Sequence, residues 1–380
     1  MLGSTGSIGA SALDVIRHLG PPYRAIALSA HHQADALVEQ VREFHPSAAT
    51  ITGECDRSAI STQLHHLGCE TLFGQAGLLE LVQRDDVDIV LSAIIGAAGL
   101  PAAFAAVEAG KTLLLANKES LVIAGALLMP EARRRNVTIL PIDSEHSAIF
   151  QAMLAGRRSE VKRVIITASG GPFRSASAAQ IATATPAEAL KHPTWNMGSK
   201  ITINSATMFN KAAEIIEAVW LFDLDPSQIV VVIHKESIVH SMVEFIDGSI
   251  IAQLSPPDMK TPIQYALTYP DRLPGCSRCI DFSAMFALHF EPPDLVRFPA
   301  IEIAYDVARR KGTLGAVMNA ANEVAVEWFL SGKIGLGMIA RVVAATIRDH
   351  SVQAAPTLAD LLEADRWARG RAAAIIADAV

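Results

Sequence analysis

Cysteine is scarce in this sequence. The 380 residues include four, Cys55, Cys69, Cys276 and Cys279. So few thiols exclude a disulfide-stapled secreted fold and fit a reducing compartment. Cys276-x-x-Cys279 has no second pair at zinc spacing, and it lies in a Pro- and Gly-flanked connector, so it reads as incidental. Basic runs are missing too. The net charge is −7, and the clusters Arg133-Arg134-Arg135 and Arg309-Arg310-Lys311 read as helix C-terminal charges. Nothing here offers nucleic acid the basic face it requires. An unbroken apolar run of membrane length is also lacking. The longest uncharged stretch, Ile89 to Val107, is interrupted by Ser92, Gly96, Gly99 and Pro101. It reads as a buried strand, a turn and a helix, not as a bilayer span. The opening residues do not have the pattern of a secretory signal, so a cytoplasmic protein is expected. No internal repeat is visible.

What is present is a globular composition, with 51% hydrophobic and 19% charged residues, over a length that calls for more than one domain. Up to about residue 140 strands and helices alternate. Strands are expected at Arg24–Ser29, Val87–Ala93 and Thr112–Ala116, and helices at Ala34–Phe44, Pro101–Ala109 and Gly125–Arg134. Apolar strands separated by helices predict a parallel, doubly wound sheet. From 143 to 270 the pattern becomes α+β, with strands at Val161–Ala168, Ile229–Ile233, Val239–Phe245 and Ser249–Leu254 and a helix over Ser205–Leu221. Asp247-Gly248 between the last two strands signals a hairpin. A Pro-rich connector, 271–299, leads to an Ala-rich helical region, 300–380. The expected architecture is thus a Rossmann-like N-terminal nucleotide-binding domain (1–142), an α+β catalytic domain (143–270), the linker, and a C-terminal helical domain.

Two motifs carry the strongest chemistry. Gly3-Ser4-Thr5-Gly6-Ser7-Ile8-Gly9 opens an amphipathic helix, where glycines let the backbone approach a pyrophosphate and the helix N-terminus favours its charge. The second strand ends in Ser29-Ala30-His31-His32-Gln33, with no acid for a ribose 2′-hydroxyl, so NADP is expected over NAD. The run Leu140-Pro141-Ile142-Asp143-Ser144-Glu145-His146 follows an apolar segment. Strand side chains alternate, so Asp143 and Glu145 converge on one side of the strand end and suit Mg²⁺ or Mn²⁺. Alone, that pair reads better as an acidic surface turn, and the glycine loop upstream and the third carboxylate downstream shift the balance.

Other segments are weaker. Asn117-Lys118-Glu119-Ser120 either lines the crevice at a strand end or caps a helix. Ser169-Gly170-Gly171 can offer a hydroxyl and N–H groups to a phosphate. Ser205, Asn210 and Lys211 could grip an anion, and Glu214 lies on the same helix face as Lys211. The loop His192-Pro193-Thr194-Trp195-Asn196-Met197-Gly198 reads either as a lid or as a loop whose Trp packs back on the core. His234 and His240 lie on strands and take structural roles by default.

In order along essentially the whole chain, the segments GSTGSIG, LANKESLV, PIDSEHSAIFQ, TASGGPF, HPTWNMG, NSATMFNKAAEIIEA and PPDMKTPI resemble the 1-deoxy-D-xylulose 5-phosphate reductoisomerase family. The resemblance implies a homodimer that uses NADPH and a divalent cation (Mn²⁺, Mg²⁺ or Co²⁺) on a phosphorylated ketose. It implies metal ligation by Asp143, Glu145 and Glu214, with these and Lys118 as catalytic residues. Phosphate binding falls to Ser169, Ser205, Asn210 and Lys211, with His192 nearby. Ser144 and Lys118 would meet substrate hydroxyls, and Trp195 would cap the substrate. Asn117, Glu119 and Met259 would line the nicotinamide, and Thr5, Gly6, Ser7 and Ile8 the pyrophosphate. The alternative is a two-domain NADP-dependent dehydrogenase of the homoserine type. The chain departs from the family pattern at His31-His32-Gln33, Asn204, Ala212-Ala213 and Lys235. Only Met1 and Leu2 precede Gly3 where a whole strand is usual, so an upstream start is expected.

Overall fold

The computed structural model describes residues 1–195 and 197–379; Asn196, within the expected lid loop, lies outside them. The chain divides into two compact units. The first comprises Met1–Ser120, Leu128–Ser147 and Asp258–Arg278, and the second Leu121–Leu127, Ala148–Pro257 and Cys279–Val380.

The first unit is built on short parallel strands: β1 (Ala27–Ala30), β2 (Ala48–Ile51), β3 (Glu70–Phe73), β4 (Ile89–Ser92), β5 (Thr112–Leu115) and β6 (Ile139–Pro141). They form two three-stranded sheets, β1-β2-β3 and β4-β5-β6. Leu2 joins them through parallel bridges to Ser29 and Ser92. Its N–H donates to the Leu91 carbonyl at 2.8 Å, and its carbonyl accepts from Ala93 N–H at 2.9 Å. Two residues thus occupy the central position of the sheet. Helices cover the strands, so the strands are apolar on both faces. Leu13, Leu28, Leu37, Val41, Ile51 and Leu64 form the core on the β1 side.

The second unit contains a four-stranded sheet in the order β10-β9-β7-β8, from β7 (Val161–Ala168), β8 (Ile229–Ile233), β9 (Val239–Phe245) and β10 (Ile250–Leu254). β9 runs antiparallel to both neighbours, and β7 and β8 are parallel. The hairpin expected at Asp247-Gly248 is present, with Gly248 at φ 88°. Glu291 makes an antiparallel bridge to Ile233 on the β8 edge. The helical region consists of Ala300–Arg310, Leu314–Leu330, Leu336–Asp349 and Leu358–Ala377, with Leu314–Leu330 packed against the other three.

Two expectations need correction. β2 and β3 carry too few bulky apolar residues to stand out, and both were missed. The helix expected over Ser205–Leu221 is broken: one helix, Ser199–Ala206, ends at its start, and a second, Phe209–Leu221, starts after Met208, whose backbone is left-handed at φ 63°. Ser205 therefore sits in a last turn, not a first one.

Candidate active site

In the first unit most of the candidate residues follow the carboxyl ends of strands. Gly3 lies at φ 79°, where a Cβ would approach the Ala93 carbonyl to 2.9 Å. A Cβ on Gly9 would come within 2.4 Å of the Gly3 and Ser4 carbonyls. Only glycines let this loop fold so closely under the helix Ser7–Leu19. Ser4 is buried and clamped by Gln40, its hydroxyl donating to Oε1 at 2.6 Å. Thr5 and Ile8 are half-buried, and Gly6 and Ser7 are exposed. First-turn N–H groups of a helix have no partner within it and can serve an anion.

His31 and His32 follow β1 and are exposed. His31 Nδ1 lies 2.8 Å from Thr52 Oγ1. Met259 stands just ahead of the helix Lys260–Thr268, which packs on the helix Ser7–Leu19, and Lys260 pairs with Asp14 at 2.9 Å.

Asn117 is buried and its amide is committed to the protein. It donates to the carbonyls of Ile94 and Gly96, and its oxygen accepts from Ser120 N–H and Oγ, both at 2.9 Å. It caps the helix Glu119–Arg134 and pins the loop after β4. Lys118, next in sequence, forms an ion pair with Asp143 Oδ2.

Asp143 does not continue a strand. β6 stops at Pro141, and Ser144–Met153 is a helix. Asp143 serves as its N-terminal cap: Glu145 N–H donates to Oδ1 at 3.2 Å, and Ser147 N–H to the Asp143 carbonyl at 2.8 Å. The strand alternation argument for Asp143 and Glu145 is therefore wrong, because a helix start sets their directions. Ser144 Oγ donates to Glu145 Oε2 at 2.6 Å. His146, which the sequence reading left without a role, is fully buried with Nδ1 3.3 Å from Asp143 Oδ1. Burial would raise the Asp143 pKa, yet Lys118 and His146 hold the carboxyl well below its ordinary range. The carboxylate stays ionised inside the protein, as a metal ligand must.

The second unit holds a compact hydroxyl cradle. Ser169 follows β7, and Ser205 lies in the last turn of the helix Ser199–Ala206. His192 Nε2 lies 3.1 Å from both serine hydroxyls. Its Nδ1 accepts from the backbone N–H groups of Thr194 at 3.1 Å and Trp195 at 2.9 Å. An accepting Nδ1 puts the ring proton on Nε2. The Nε2–H then serves the serine oxygens, and the hydroxyl hydrogens point elsewhere. Burial lowers the His192 pKa, which favours this neutral ring. Gly171, at φ 64°, permits the approach: a Cβ there would sit 2.7 Å from the Ser205 carbonyl.

On the helix Phe209–Leu221, the fully buried Glu214 accepts from Asn210 Nδ2 at 2.6 Å and pairs with Lys211. The expected helix-face relation of Lys211 and Glu214 is present. Trp195 lies 6.3 Å, ring to ring, from His240, which is buried and bonded to the Ser255 carbonyl at 3.1 Å. The default structural reading of His240 gave no sign of this neighbour. Among the described residues, no helix is long and apolar enough to cross a membrane.

Known proteins match this chain over its full length. A relative from Chlorobaculum tepidum, 1-deoxy-D-xylulose 5-phosphate reductoisomerase, is 47% identical over 99% of the chain and 98% of its own length. The chain belongs to the 1-deoxy-D-xylulose 5-phosphate reductoisomerase family. Three profiles of that reductoisomerase match: 1-deoxy-D-xylulose 5-phosphate reductoisomerase over residues 1–125, its C-terminal domain over 139–222, and the DXP reductoisomerase C-terminal domain over 254–371. The reductoisomerase of Pelotomaculum thermopropionicum is likewise 47% identical, over 100% of the chain and 98% of its own length. The Zymomonas mobilis reductoisomerase, solved with NADPH, matches with a TM-score of 0.93 at 42% identity, covering 99% of this chain and 97% of that one. A reductoisomerase solved with NADPH, fosmidomycin and magnesium gives 0.94 at the same identity and coverage. Membership over the whole length removes the homoserine-type alternative.

Proposed function

We propose that this protein catalyses the NADPH- and divalent-metal-dependent conversion of 1-deoxy-D-xylulose 5-phosphate to 2-C-methyl-D-erythritol 4-phosphate in isoprenoid biosynthesis. The observation that carries the reading is the Asp143 carboxylate, held ionised within the protein by Lys118 and His146. Asp143, Glu145 and Glu214 offer only carboxylate oxygens, which fit a hard cation such as Mg²⁺, Mn²⁺ or Co²⁺. The cation supplies Lewis acidity toward the carbonyl and neighbouring hydroxyl of a ketose. NADPH supplies a hydride.

The chain's own residues do the rest. Ser169 and Ser205 turn their hydroxyl hydrogens to the substrate phosphate, with His192 fixing both oxygens. Lys211 has three N–H donors and Asn210 two, so each can bond Glu214 and still reach the phosphate. Lys118 and Ser144 orient substrate hydroxyls. Trp195 covers the substrate and excludes water. Thr5, Gly6, Ser7 and Ile8 receive the pyrophosphate at the helix N-terminus. Glu119 and Met259 border the nicotinamide, and Asn117 shapes that border through the loop it pins. His31 and His32 stand at the end of β1, where a 2′-phosphate is read.

Two further features belong to the proposal. The β10 edge carries exposed Ile250, Ile251 and Leu254, with Ile246 in the preceding turn. Open apolar edges of this kind pair with a second strand, and a second copy of the chain is the partner we assign, giving a homodimer. The four cysteines are free thiols, which suits the cytoplasm.

The direct test follows NADPH absorbance with 1-deoxy-D-xylulose 5-phosphate. Oxidation is expected with Mg²⁺ or Mn²⁺, lost in EDTA and regained on adding metal. Oxidation that survives EDTA would remove the metal from the reading, and no oxidation under any condition would remove the reaction.

A further inference from the structure

The run Asn319-Ala320-Ala321-Asn322-Glu323 places polar groups in the largely buried helix Leu314–Leu330. Burying an amide or carboxylate costs free energy unless it finds partners. Here partners lie on the helix Ser199–Ala206, which carries Ser205 in its last turn. Asn322 Nδ2 donates to Asn204 Oδ1 at 2.9 Å, and Lys200 Nζ donates to Glu323 Oε1 at 2.9 Å. Asn319 Nδ2 adds a bond to the same oxygen at 3.3 Å. The other Glu323 oxygen pairs with Arg369, whose Nε bonds Asp365 at 2.7 Å. Burial works against the Glu323 anion, but Lys200 and Arg369 keep its carboxyl below the ordinary range.

The helix Ser199–Ala206 has eight residues, fewer than the roughly 12–15 at which an isolated helix begins to persist. Its position must therefore come from what it packs against. Lys200 and Asn204 are four apart and share one face. Tying that face at both ends fixes rotation about the helix axis. The residue after Asn204 is Ser205, so the rotation sets where its hydroxyl meets His192.

We infer that Asn322 and Glu323 are positioning residues for the phosphate cradle. They act on the substrate through Lys200, Asn204 and the rotation of the helix carrying Ser205. The inference rests on the reading of Ser169, His192 and Ser205 as that cradle.

The test compares the intact enzyme with Glu323→Gln, Lys200→Met and the charge-swapped pair Lys200→Glu/Glu323→Lys. Three quantities are read: KM for the sugar phosphate, the Kd of inorganic phosphate by calorimetry, and KM for NADPH. In either single variant the sugar-phosphate KM and the phosphate Kd should rise about tenfold, the worth of one bond to a charged group. kcat and the NADPH KM should stay within about twofold of wild type, on the same scale. The swapped pair should recover most of the loss. Unchanged phosphate binding in both single variants overturns the inference, as does an equal loss for phosphate and NADPH, which marks general destabilisation. Should Glu323→Gln fail to fold, Lys200→Met breaks the same tie from the other helix. If the wild type binds phosphate in a Glu323-dependent way but does not turn over the sugar phosphate, the reaction assignment falls and the positioning role stands.

Discussion

Single residues decide the chemistry here by whether their charge is tolerated. Glu214 is fully buried, and its neighbours Asn210 and Lys211 compensate it. Glu214→Gln keeps the shape and removes the charge. Turnover should fall by more than about 100-fold, the upper end of what even outer-shell metal partners cost. NADPH affinity should hold, because the glycine loop belongs to the first unit. Comparable turnover at saturating Mn²⁺ would reject Glu214 as a ligand. His192 gives a pH signature. Burial lowers its pKa, so the folded cradle binds fewer protons than an open one. The sign then follows: the cradle is intact above the ordinary imidazole value and is progressively penalised as pH falls below about 6.5. Protonating Nδ1 would also expel the Thr194 and Trp195 N–H groups. The sugar-phosphate KM should therefore climb between pH 7 and pH 5.5, while the NADPH KM changes less. A flat profile would show that His192 stays outside the binding step.

At the scale of elements, the glycine loop makes the sharpest demand. Gly9→Ala would press a methyl group against two carbonyls, an overpacking cost of about 1–3 kcal/mol. NADPH affinity should drop about tenfold or more and sugar-phosphate KM little, as titration of NADPH fluorescence would show. Unaltered NADPH affinity would mean that the loop is not the pyrophosphate site. The elements also show what a sequence reveals. β7 and β8 were legible with their bounds because each holds a run of Val and Ile, and β9 because it leads into the Asp247-Gly248 turn. β2 (Ala-Ala-Thr-Ile) and β3 (Glu-Thr-Leu-Phe) carry no such run, and tertiary pairing alone makes them strands. The break at Met208 leaves no composition mark, since Ser, Ala, Thr and Met all continue a helix pattern. Asp143 follows an apolar run that suggests a strand, yet it acts as a cap, as Asp before an apolar helical run commonly does. The family was legible through motif resemblance along the whole chain. The ties from Lys200 to Glu323 and from Asn204 to Asn322 were not, because they join segments more than a hundred residues apart.

For the whole molecule, the open β10 edge makes the assembly testable. Ile250 is 51% exposed. Ile250→Lys should shift sedimentation from dimer to monomer, as loss of a central apolar anchor weakens association by about 30-fold or more. A wild-type protein that sediments as a monomer at micromolar concentration would sink the dimer. The make-up of the first unit has a consequence for biogenesis. Its helix Lys260–Thr268 packs on the helix Ser7–Leu19, and Gln264 ties back to Leu273 and Pro274 at 3.0 and 2.9 Å. The unit is therefore not closed until residue 278 has been made, roughly 15–55 s into translation at ordinary elongation rates. Until then the growing chain carries an unfinished nucleotide fold with apolar surface on the helix Ser7–Leu19 uncovered. The unit that begins first in sequence is therefore not free to finish first.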